Sequence, residues 1–306
     1  MITTPSFVPV TLSEDLLPTS IYGDAPYNTV PLCVQIPFVM QAEIQRFLQA
    51  LLVQSGCDEE GTYFRIDAYL HRGSLWVLEV TTQYIDGWGI ALNLLRACGR
   101  PITLPPVFPA LWVLDNPLYR PEIELDAKEI ALATAGVLNP SIITPDAFGL
   151  HDDLVYWYGW KAPDDPRIRP AHGRFLEDKI QLQRLSSIWS GDLVQIPPTY
   201  TIDERSWADL PFPIVCKNRR KNVGVYGNVS LCRTKADIGK QARRAYERCE
   251  AVAQVFVEPY RYDDVRPTQL EILCIGTKPV TGYLLQGDPD TFVLNDRVAH
   301  GPLILL

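Results

Sequence analysis

Between Tyr63 and Thr81 the segments YFRIDAYLH and SLWVLEVT set polar residues two apart, Arg65 and Asp67 in the first and Glu79 and Thr81 in the second. That spacing predicts two strands joined by a turn, with Arg65 and Asp67 on one face of the first and Glu79 and Thr81 on one face of the second. Just upstream the period changes. In QAEIQRFLQALLVQSG, residues Ile44, Phe47, Leu48, Leu51 and Leu52 fall on one helical face, and Gly56 is placed to end the helix. Residues 1 to 40 read as extended and proline-rich. IDGWGIALNLLRACG reads as a loop and a short helix ending at Gly99.

The four prolines of RPITLPPVFPALW predict a crossover. After it come a strand in ALWVLD, a helix in AKEIALATAG, a strand in LVYWYGW and an amphipathic helix in EDKIQLQRLSSIWSG. LPFPIVCKNRRKNVGVYGNVSLC predicts two strands flanking a basic loop that holds Gly224 and Gly227. A helix is expected from Thr234, with Asp237 completing a capping box. QVFVEPY, LEILCIG, VTGYLLQ and TFVLND read as successive strands. The apolar terminus GPLILL is expected to dock into a sheet. The fold class expected is α/β (α+β), with antiparallel sheets, flanking helices and a small α/β lobe.

Composition narrows the function. With 47% hydrophobic residues in 306, the chain can build a sizeable core. A net charge of −8 argues against nucleic acid as the main partner. The seven cysteines lack CxxC spacing and the four histidines are scattered, so free thiols in a reducing cytoplasm are expected, with neither disulfides nor zinc. Neither a signal peptide nor a run long enough to span a membrane is apparent. Trp157, Trp160 and Trp189 read as packing residues.

Several residues could carry chemistry. Asp67 and Glu79 on adjacent strands offer hard oxygens suited to Mg²⁺. Lys217 ends an apolar strand before a glycine-containing loop, an arrangement suited to phosphate. Lys179 begins a helix, where a positive charge opposes the helix dipole and a bound anion would relieve it. Glu258 ends an apolar segment beside backbone that could meet a base edge, and Glu271 could accept from sugar hydroxyls. A solvated strand end explains Lys217 or Glu258 equally well.

The order of these pieces resembles the ATP-grasp carboxylate–amine ligases. A DK helix, IPPTY, LPFPIVCK, a glycine loop, a helix and an apolar segment ending in Glu resemble the nucleotide half of that family. "RID", with "LEV" beginning eleven residues after that stretch's Asp67, resembles its metal half, patterned R-x-D then E-x-N. The metal half coming first is similar to eukaryotic-type glutathione synthetases, and implies a circular permutation. The resemblance implies ATP and Mg²⁺ as cofactors, a carboxylate and an amine, small or peptidic, as substrates, and an acyl-phosphate intermediate. It implies Asp67, Glu79 and Thr81 at metal, Arg65 at the transferring group, and Lys179, Lys217, Gly224, Gly227, Glu258 and Glu271 at nucleotide. It further implies a metal half at 1–100, a connecting lobe at 101–195 and a nucleotide half at 196–306. The sequence departs in two places: Thr81 stands where Asn is usual, and the loop after Lys217 carries Arg219, Arg220 and Lys221 with no acid. Those departures also suit a relative that binds nucleotide or peptide without turnover. An unrelated α/β scaffold is the third possibility.

Overall fold

The computed structural model describes residues 4–22, 25–82, 85–159, 162–171, 173–219, 229–262, 266–288 and 298–306. From the N-terminus run β1 (Ser6–Pro9), β2 (Ser20–Tyr22), β3 (Ala25–Pro26), β4 (Leu32–Ile36), α1 (Phe38–Ser55), β5 (Tyr63–His71), β6 (Ser74–Thr81) and α2 (Trp88–Ala97). Next come β7 (Leu111–Leu114), α3 (Arg120–Ala133), β8 (Ser141–Ile143), α4 (Pro145–Phe148), β9 (Val155–Tyr158), β10 (Ile168–Arg169), α5 (Gly173–Leu176) and α6 (Lys179–Ser186). The last third holds β11 (Val194–Gln195), β12 (Thr199–Tyr200), β13 (Ile214–Asn218), β14 (Val229–Cys232), α7 (Lys240–Glu247), β15 (Ala251–Val255), β16 (Thr268–Ile275), β17 (Lys278–Gln286) and β18 (Ala299–Leu305).

Eight strands form one large mixed sheet in the order β1-β4-β18-β17-β16-β5-β6-β11. Its alternation sorts side chains cleanly. Ile66, Ala68 and Leu70 of β5, Val77 and Val80 of β6, and Leu270 and Ile272 of β16 share one core with Ile44, Phe47, Leu48 and Leu51 of α1. These helix residues are fully buried, and each such apolar side chain stabilises by roughly 1.5–3 kcal/mol. Gly56 ends α1 in the left-handed conformation, at φ 68°. The sheet curls enough that Phe7 of β1 stacks on Tyr260, whose N–H donates to the Leu70 carbonyl of β5.

A four-stranded parallel sheet, β10-β9-β7-β8, buries Trp112, Leu114, Tyr156 and Tyr158 against α2, α3 and one end of the large sheet. A third, antiparallel sheet, β12-β15-β13-β14, packs on α7 around Cys216, Cys232 and Tyr246. All seven cysteines carry free thiols. Trp157 lies in the parallel-sheet core and Trp189 packs edge-on against Phe47. Among the described residues no helix is long and apolar enough to cross a membrane.

Three local expectations change. Thr234 and Asp237 do form a capping box, but it closes a single 3₁₀ turn, and the helix proper starts at Lys240. The strand expected in QVFVEPY is Ala251–Val255, three residues short of Glu258. The α3 helix begins earlier than the apolar pattern suggests, because Pro121 sits in its first turn, where its missing N–H costs nothing. TFVLND and Trp160 fall outside the described residues.

The terminal segment GPLILL lies within the sheet, where Leu303, Ile304 and Leu305 pair in parallel with Val34, Gln35 and Ile36. His300 anchors this junction. Its N–H donates to the Asn28 carbonyl, its carbonyl accepts from Val30, and its ring lies between Tyr27 and Tyr283. Burial pushes its imidazole down to about 4. The unfolded chain therefore takes up a proton near pH 6.5 that the folded chain refuses, and stability is lost as pH falls through this window. Thermal melts of wild type and His300→Gln should converge by about 3 kcal/mol between pH 7 and pH 4, with the variant showing the flatter acid limb. Parallel pH profiles for the two would contradict this origin.

Candidate functional site

The face of the large sheet opposite α1 carries the polar residues singled out by sequence. Asp67 stands directly across from Glu79, Arg65 across from Thr81, and Glu271 of β16 across from Asp67 on the other side. All five therefore share one face. A bulge makes this possible. Asp67 pairs with Glu79 but Ala68 pairs with Val77, leaving Leu78 as an extra residue in β6. The extra residue resets the alternation, so that Val77 and Val80 both enter the core while Glu79 and Thr81 turn to the polar face.

Arg65 is the hub at one end. Its guanidinium bonds Asp67 at 2.9 Å, pairs with Glu271 at 3.3 Å and with Asp86. Burial alone would drive its proton off. The three carboxylates overcome that and hold the group charged, well above the usual arginine range. Asp86 was not foreseen from sequence. It reaches Arg65 because Gly87 turns the chain at φ 88°, where a Cβ would strike the Tyr283 hydroxyl. Tyr283 donates to Glu271 at 2.5 Å. Burial raises the Glu271 carboxyl, Arg65 pulls it back, Asp67 and Asp86 push it up again, and it stands at about 7. Behind Asp86, Asp126 of α3 accepts from the Gly89 N–H at the start of α2 and from the Tyr158 hydroxyl. Burial lifts its carboxyl far above the ordinary range.

Two ammonium groups arrive from other elements. Lys179, the first residue of α6, places Nζ 3.4 Å from Glu79. Lys217, at the end of β13, donates to the carbonyl of Leu78 at 3.2 Å and to Gln254 Oε1 at 2.8 Å. The Leu78 carbonyl belongs to the bulged residue, displaced from regular pairing with β5. Gln254 in turn donates to Thr199 Oγ1. The three residues before α6 and at its start are all tied down: Glu177 accepts from the Thr82 N–H, Asp178 holds Arg219, and Lys179 meets Glu79. Lys179 and Lys217 are both buried. Their convergence on consecutive residues of β6 joins the β12–β15 sheet to the acid row.

Glu258 does not join this group. Its side chain is largely exposed and pairs with Arg261, and its carbonyl lies 2.9 Å from His71 Nδ1, at the far end of β5. Gly224 and Gly227 lie outside the described residues. Glu271 is a buried member of the Arg65 cluster. Thr81 is fully buried beneath the polar face. Among the described residues no group of three His, Cys, Asp or Glu side chains forms a metal cage. What the site offers a divalent cation is Asp67 and Glu79, two opposed carboxylates. That set suits Mg²⁺ completed by water and phosphate oxygens.

Asp178 carried a sequence signal: an acid before a helix start is an N-cap, and it does accept from the Ile180 N–H at 3.1 Å. Asp86 and Gln254 carried none.

No protein-family model and no curated protein matches the chain. Among solved structures it is similar to a glutathione-synthetase-like effector from Globodera pallida. The two share 12% identity at a TM-score of 0.49, over 92% of this chain and 89% of that one. It is also similar to a protein described as a gamma-glutamylcysteine synthetase from Methylobacillus flagellatus. There the identity is 11% and the TM-score 0.46, over 95% of this chain and 87% of the other.

Glu271 makes the site's own pH signature. Between about pH 4.5 and 7 the folded chain keeps a proton that the unfolded chain releases, so this group's contribution to stability falls as pH rises through that window. Glu271→Gln should therefore gain melting temperature relative to wild type on going from pH 5 to pH 8. A difference that stays constant with pH would show that Glu271 is ionised throughout.

Proposed function

We propose that the chain is an ATP- and Mg²⁺-dependent ligase that joins a carboxylate to an amine through an acyl phosphate. The observation that carries this reading is the convergence of Lys179 and Lys217 on residues 78 and 79 of β6, directly opposite Asp67. An anion as charged as a triphosphate needs buried cations on one side and a cation-bearing carboxylate pair on the other. Here two buried lysines from α6 and β13 meet a carboxylate pair on the neighbouring strands β5 and β6. The circularly permuted order of the halves belongs to the same proposal, as do their bounds at 1–100, 101–195 and 196–306. The parallel pairing of β18 with β4 supports it, since it joins the last strand to an early one in the same sheet.

In this reading Lys179 and Lys217 would hold phosphate oxygens, and Asp67 and Glu79 would hold Mg²⁺, which would neutralise phosphate charge. Arg65 lies where it can offset charge on the transferring group, and Asp86 and Glu271 keep it in place. The substrate carboxylate attacks the terminal phosphorus and the nucleoside diphosphate leaves. The amine then displaces phosphate from the acyl carbon. Catalysis rests on alignment and charge neutralisation, so no side-chain nucleophile is required.

A specific observation favours a second reading, nucleotide or peptide binding without turnover. Thr81 is fully buried where an amide ligand would be expected, and Asp67 and Glu79 already hold basic side chains. Phosphate release from Mg·ATP across a panel of acids and amines separates the two. For the ligase, Asp67→Asn and Glu79→Gln should each cut release by about a hundredfold or more with the melting temperature retained. Full activity in both would remove the metal assignment. Lys217→Ala should weaken Mg·ATP affinity by roughly tenfold or more in calorimetry. An unchanged affinity would take Lys217 out of the nucleotide site.

A further inference from the structure

We propose that Asp178 and Arg219 act together as positioning residues that set the spacing of the Lys179 and Lys217 ammonium groups. This inference rests on the nucleotide reading of those two lysines. Each grips the element that carries one lysine. Asp178 is the N-cap of α6, so its carboxylate fixes where the helix starts and hence where Lys179, the next residue, points. Arg219 lies two residues beyond Lys217, just past the end of β13.

The two are joined in both directions. Arg219 Nε donates to Asp178 Oδ1 at 2.8 Å and to Oδ2 at 2.9 Å. The Lys179 N–H donates to the Arg219 carbonyl at 3.0 Å. That second bond also satisfies one of the N–H groups left unpaired at a helix start. The Arg219 N–H meanwhile donates to the Glu250 carbonyl at 2.8 Å, holding it to the lead-in of β15. Asp178 is only 4% exposed, so the charged pair works where water screens it little. Pairing with Asp178 raises the Arg219 guanidinium above its ordinary range.

The geometry makes the two lysines one rigid unit, although they lie on elements 38 residues apart in sequence. Helix α6 leans on α1 and the main core through Leu182 and Leu185, whereas β13 belongs to the separate antiparallel sheet. Without the clasp, small shifts of that sheet would change the distance between the ammoniums. With it, Lys179 and Lys217 move together.

The test is calorimetry of Mg·ATP binding to the full chain, with melting temperature measured alongside. Asp178→Asn is the informative variant, because Asn caps a helix about as well as Asp but carries no charge for Arg219. Asp178→Asn and Arg219→Gln should each weaken affinity by roughly tenfold or more, since misplacing a contact by a fraction of an ångström is enough. The double variant should be no weaker than either single, as expected for residues acting as a unit. Wild-type binding with unchanged affinity in Asp178→Asn overturns the inference and leaves the nucleotide reading standing. Losses that add in the double variant also overturn it. Absence of any binding to wild type overturns the nucleotide reading, and this inference with it.

Discussion

Arg65 carries its charge into a region that water barely reaches, and it keeps that charge because Asp67, Asp86 and Glu271 surround it. A buried guanidinium without partners would cost several kcal/mol. The three acids come from β5 itself, from the turn before α2 and from β16. The cluster can therefore form only when those parts are in place together. Removing one acid still leaves the guanidinium two carboxylates, whereas removing Arg65 leaves three carboxylates facing each other. The polar face thus specifies the relative placement of the sheet and the α2–α3 layer as firmly as the apolar cores do.

The lysine end follows the same rule with a different emphasis. Lys179 and Lys217 come from an α-helix and a separate sheet, and both end on β6. Their interactions there use one carboxylate and one carbonyl. The first is ionic and the second is to a neutral acceptor, whereas Arg65 meets three carboxylates.

How much of this could be read from the chain depends on the range of the interaction. The pairing of the two strands was legible because a short turn joins them, but a strict period of two would set Asp67 opposite Leu78, and only the bulge brings Glu79 to the same face. The α1 stripe and the Gly56 stop were legible for the same reason of locality, and the apolar terminus pointed correctly to a sheet. Asp86 was not, since its partner Arg65 lies on β5 and the Gly87 turn that delivers it packs against Tyr283 of β17, far along the chain. Glu271 was singled out, but its place beside Arg65 was not legible, because nothing local shows that its strand lies beside β5. Glu258 looked like the end of a strand because Phe256 and Val257 continue the apolar run, yet pairing with β13 and β12 stops at Val255. The bulge at Leu78 left no mark, as SLWVLEVT reads as an ordinary strand.

That bulge gives the hairpin a phase. Upstream of Leu78 the odd-numbered residues Leu75 and Val77 face the core, and downstream the even-numbered Val80 does. Leu78 is thus the one position of β6 that could be lost without turning the acid row to the wrong face. The shortened strand would become a regular ladder with Glu79 still opposite Asp67. What would disappear is the displaced carbonyl on which Lys217 rests. The acids and the lysine seat are in this sense separable by length alone: a strand one residue shorter would keep the anionic half of the arrangement and discard the place where the cationic half lands.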